Sequence, residues 1–129
     1  METETDLQIT ALPAPDELCQ FTPEYQQGLR AFERVFNDQG IAIHAEQALV
    51  KFAGGPFLSG DFVLKLAATV GPVVGTAAGA WLHARYGRKV RLKIGEVEAE
   101  AQTVEEVKQL IARAVEFQQQ SQPKVIHEP

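Results

Sequence analysis

A chain of 129 residues with 17 acidic and 12 basic side chains, net charge −5, has room for one domain that buries a core without metal or disulfide staples. Its single cysteine, Cys19, excludes an intramolecular disulfide and fits a reducing compartment. The start, METETDLQIT, is acidic and has no basic segment followed by an apolar run, so no secretory signal is expected and a cytoplasmic location is.

Leu7 and Ile9 alternate with Asp6, Gln8 and Thr10, which predicts a short half-buried strand. Pro13 and Pro15 then break the periodicity, so residues 11–21 are expected to be a connection. Thr22 followed by Pro23 reads as an N-cap with proline at the first helical position, where its missing N–H costs nothing. Tyr25, Leu29, Phe32 and Phe36 recur at helical spacing after it, and Gly40 supplies a stop, which predicts a helix over about 23–38. Ile41, Ile43 and Ala45 alternate with Ala42, His44 and Glu46, the pattern of a second strand, although AEQALVKFA would also suit a helix. Gly54-Gly55-Pro56 punctuates the chain; no Lys-Ser/Thr pair follows, so it is not a phosphate loop.

The stretch from Asp61 to Lys89 differs from everything around it. No ionisable side chain lies between Leu66 and Leu82, and Gly71, Gly75 and Gly79 recur every fourth residue, on one stripe of a helix. This glycine zipper predicts a long helix over 61–86, capped by Ser59 or Asp61, ended by Gly87 and kinked at Pro72. Missing Cβ atoms let another element approach closely, so Gly71, Gly75 and Gly79, with Trp81, are the candidate interaction residues.

Arg85, Arg88, Lys89, Arg91 and Lys93 follow as a basic cluster. Residues 51–93 hold seven basic and one acidic side chain, against nine acidic and two basic in residues 1–50. The cluster could meet lipid or nucleic-acid phosphates, but the acidity of the rest of the chain and the lack of interleaved aromatics favour acids of the same chain as its partners. VRLKIGEVEAEA reads as a hairpin around Gly95-Glu96 that sets Lys93 opposite Glu98 and Arg91 opposite Glu100. Thr103 and Glu106 form a capping box for a helix whose apolar stripe is Val107, Leu110, Ile111, Ala114 and Phe117. Periodicity is lost after Gln118, so residues 121–129 are expected to form a disordered tail.

The expected fold is therefore α+β within one domain, residues 1–120: a small mixed four-stranded sheet covered by helices, in the order strand, helix, strand, long helix, hairpin, helix. The Trp81-Leu82 pair closing a small-residue helix, Arg85 after it, the basic strand RKVRLKI, an acidic second strand and the VEEVKQLIARA helix resemble the effector-associated constant component family of bacteria. Those are small accessory proteins of predicted conflict and signalling systems. The resemblance implies an adaptor beside an effector protein and carries over no active-site residues.

Catalysis is not expected, nor a cofactor, metal or small-molecule substrate. His44, His83 and His127 lack metal-type spacing, His83 suits the carbonyl end of a helix, and Cys19 has no organised base beside it. The expected partners are an effector protein or a second copy, with nucleic acid disfavoured. The alternative is a membrane-inserted component at the inner membrane, in which residues 62–82, about 31 Å as a helix, span the bilayer with the C-terminal side cytoplasmic.

Overall fold

The computed structural model describes residues 6–17, 22–48, 57–67, 69–95 and 97–121. The elements are β1 (Asp6–Leu12), α1 (Pro23–Asp38), β2 (His44–Ala48), β3 (Phe57–Lys65), α2 (Val70–Ala84), β4 (Lys89–Ile94), β5 (Val97–Ala101) and α3 (Val104–Ser121). The expected Cys19, Gly54-Gly55-Pro56 and His127 features, and residues 122–129 of the expected tail, lie outside the described residues; Ser121 ends α3.

The fold is α+β, but the sheet has five strands rather than four, and every pairing is antiparallel rather than mixed. The order is β2-β3-β1-β4-β5, so β1 is central and the two hairpins flank it. The added strand is β3, which takes the residues expected to open the long helix. Leu58, Gly60, Phe62 and Leu64 turn inward while Asp61 and Lys65 turn out, a period of two that the neighbouring apolar run conceals. Asp61 is thus no helix cap; its carboxylate accepts from the hydroxyls of Thr10 and Ser59 on the open sheet face.

The apolar helix is correspondingly shorter, and Pro72 falls in its first turn, where the missing N–H has no intrahelical partner to lose. Sheet, α1 and α3 cover it on three sides. Val70, Val74, Ala77, Ala78, Trp81 and Leu82 join the core formed with Leu7, Ile9, Phe32, Phe36 and Phe62. The remaining side of α2 carries Pro72, Thr76, Ala80 and His83 and faces solvent.

The ends of α1 and α3 follow the sequence. Thr22 Oγ1 accepts from the Tyr25 N–H at 3.2 Å, Pro23 opens α1, and Gly40 follows it with φ +75°. Thr103 Oγ1 accepts from the Glu106 N–H at 3.2 Å, while the Glu106 carboxylate reaches past the cap residue to the Gln102 N–H at 2.7 Å. The β4–β5 register is the expected one, Ile94 with Val97 through Val90 with Ala101, and Gly95 has φ +61°.

Candidate functional site

The glycine stripe has a partner within the chain. A Cβ on Gly71 would lie 3.0 Å from Ile111 Cγ2, one on Gly79 3.1 Å from Val104 Cγ2, and one on Gly75 3.4 Å from Lys108 Cε. All three contacts belong to α3, whose apolar stripe packs into the space that the absent side chains leave. The surface read as open to a partner helix is therefore a seam between α2 and α3.

Trp81 is likewise interior. Its indole N–H donates to the carbonyls of Leu12 and Lys89, at 3.3 and 3.2 Å, and its ring meets Tyr25 edge-on at 5.1 Å. The Arg88 guanidinium lies 3.9 Å from the Trp81 ring centroid and pairs with Glu17. For Tyr25, burial first and the Glu17 charge second push the phenol up to about 12.

The rest of the basic cluster also faces acids of the same chain. Arg85 pairs with Asp16 at 3.0 Å, Arg91 with Glu100 at 2.8 Å and Glu98 at 3.6 Å, and Lys89 approaches Glu100 at 4.0 Å. The Arg85 hydrogen bond holds the Asp16 carboxyl below its usual range, and the Arg91 hydrogen bond does the same for Glu100. Lys93 sits opposite Glu98 in the register. These bases and their acids bind the connection after β1 to the turn after α2, and β4 to β5.

His44 lies on β2 and His83 in the last turn of α2, both exposed. Among the described residues no group of three His, Cys, Asp or Glu side chains is arranged to hold a metal ion. No helix among them is long and apolar enough to cross a membrane; Phe62 to Lys65, the start of the expected span, belong to β3.

What pattern reading missed is a surface at the β5 edge. Between β4–β5 and α3 runs a groove of about 450 Å³, with Leu92, Ile94, Val97 and Ala99 on the sheet side and Leu110, Arg113 and Ala114 on the helix. Val97 is 65% exposed at its lip, and among the described residues no strand pairs with the outer side of β5. Val97 and Ala99 are legible in the sequence as the apolar face of the second hairpin strand; that α3 stands off far enough to leave them open is a tertiary fact. Comparison with family models, curated proteins and solved structures finds no match.

Proposed function

We propose that this protein is a non-catalytic adaptor that works by protein–protein association beside an effector protein, as the family resemblance implies. The observation that carries this is the groove at the β5 edge. It joins the exposed Val97 and the half-buried Ile94, Ala99, Leu110 and Ala114 to a strand edge that pairs with no other strand among the described residues, a combination that sheet proteins otherwise cover or twist away. The small-residue helix supports association indirectly. By packing its glycine stripe against α3 it fixes the helix that forms one wall of the groove.

Co-expression with the products of neighbouring genes tests the proposal. One of them is expected to co-elute with the chain at fixed stoichiometry through size-exclusion chromatography, with tenfold or greater weakening when Ala114→Trp fills the groove. A chain that remains alone with every neighbour tried overturns the adaptor proposal.

A further inference from the structure

Taking the adaptor function as its basis, we infer that the β5 edge binds an extended peptide segment of the partner as a sixth strand, with apolar side chains in the groove and a carboxylate on Arg113. Antiparallel pairing with β4 engages the main chain of alternate residues, so the others in Val97–Ala101 turn their N–H and C=O groups outward. A peptide laid along this edge gains main-chain hydrogen bonds there. Every second side chain then points toward α3, into the space between Ile94, Val97, Ala99, Leu110 and Ala114.

The charges select the occupant. Among the described residues Arg113 is the one charged side chain lining the groove, and it makes no ion pair or hydrogen bond with any of them, so a guanidinium stands beside an apolar floor open to a carboxylate. Glu98 and Glu100 project from β5 on the opposite, open face of the sheet. A second copy added antiparallel about Ala99 would set Glu98 against Glu100 twice, and like charges directly opposite are destabilising. An extended segment with polar residues on that face, apolar ones on the other and a terminal or side-chain carboxylate meets each demand. The larger hollow along the α2–α3 seam, about 580 Å³ beside Gly71, Pro72 and Ile111, lies between two helices, so it lacks the strand edge that a peptide needs.

The probe is the peptide acetyl-Thr-Val-Thr-Val-Thr-Leu with a free C-terminal carboxylate, titrated into the full chain and followed by amide NMR shifts. Shifts confined to residues 92–94, Val97–Ala101 and residues 110–114 are expected. The C-terminal amide of the peptide, and Arg113→Gln with the free acid, should each bind at least about tenfold more weakly, since a hydrogen bond to a charged group is lost. Ala114→Trp should abolish the shifts while retaining the wild-type spectrum elsewhere. Three results overturn the inference: equal affinity for the amide peptide, equal affinity for decanoate, which has no main chain to add as a strand, or a dimer of the free chain that uses the same residues and is lost in Ala114→Trp. Natural-partner binding unaffected by Ala114→Trp overturns this surface and leaves the adaptor function standing. Peptide binding with no partner among the neighbours does the reverse.

Discussion

Glu17 and Arg88, 71 residues apart, meet through two hydrogen bonds of 2.7 and 3.0 Å with both side chains nearly excluded from solvent. The Glu17 carboxylate also accepts from the Ala14 N–H at 2.8 Å, closing the Pro-rich turn on itself, and Gly87 at φ +97° brings the opposite turn against Ala14 and Pro15. The pair therefore rivets the connection after β1 to the turn between α2 and β4. Glu17→Ala leaves the Arg88 charge nearly buried without its carboxylate and should cost about 3–5 kcal/mol, whereas Arg88→Ala leaves Glu17 the Ala14 N–H and Arg85 at 4.0 Å and should cost less. The double variant should cost clearly less than their sum in urea titrations. Additive costs would show that the two side chains act independently.

The same contact sets the acid limb of stability. Burial alone would raise the Glu17 carboxyl, but the Arg88 hydrogen bonds, the Ala14 N–H and the charges of Arg88 and Arg85 outweigh it and hold the group below 4.5. A depressed folded-state value contributes stability that is present above the unfolded value and lost as pH falls through the folded one. Unfolding midpoints should therefore drop below about pH 4.5, and less steeply in Glu17→Gln. Tyr25 has the opposite sign. Its phenol is raised from 10.0 to about 12, so its contribution is complete below pH 10 and declines through about 12. Tyr25→Phe should flatten that alkaline decline.

The glycine seam predicts an order among substitutions. Alanine is favoured over glycine inside a helix by up to about 1 kcal/mol. At Gly75 the new methyl meets only the flexible Lys108 side chain at 3.4 Å, so Gly75→Ala should raise stability by most of that amount. Gly71→Ala and Gly79→Ala meet the packed methyls of Ile111 and Val104 at 3.0 and 3.1 Å, and crowding offsets the gain or reverses it by about 1 kcal/mol. Gly75→Leu should lower the thermal midpoint by wedging α2 from α3 and leave the sedimentation coefficient unchanged. A change in assembly mass would return the stripe to a role between subunits.

How far the sequence reaches depends on whether independent signals coincide. In the second hairpin, a two-residue loop, period-two apolarity and opposed charges all fix one register, and Lys93 with Glu98 follows from any of them. In α1 the Thr22 cap, Pro23 and the Tyr25 to Phe36 stripe agree. At β3 they conflict: Phe62, Val63 and Leu64 adjoin the apolar helix, and composition there masks the alternation of Leu58, Gly60, Phe62 and Leu64 with Ser59, Asp61 and Lys65. The helix consequently gained residues that belong to the sheet, and with them came the length that suggested a membrane span. The glycine stripe was legible as a close contact but not the identity of the contacting helix. The groove was not legible at all, because it depends on the distance between α3 and β5.

Gln26 shows the limit most sharply, and it carries the last prediction. By pattern it is a polar neighbour of Tyr25, yet it is only 2% exposed. Its Oε1 accepts from the Leu58 N–H at 2.8 Å and its Nε2 donates to the Leu58 carbonyl at 3.0 Å, so a side-chain amide stands in for a strand. The last registered β1–β3 pair is Thr10 with Asp61; Pro13 lies beyond it, and Leu58 needs another partner. Gln26→Leu leaves two buried main-chain groups unmet, at about 1–3 kcal/mol each, and should speed hydrogen exchange of the Leu58 amide. Gln26→Glu can still accept from that N–H, but only its protonated form can donate to the carbonyl. Its folded-state value is therefore expected above the unfolded one, and its deficit relative to wild type at the same pH should be smaller at pH 4 than at pH 7. Wild-type stability for Gln26→Leu would mean that Leu58 is satisfied without the glutamine.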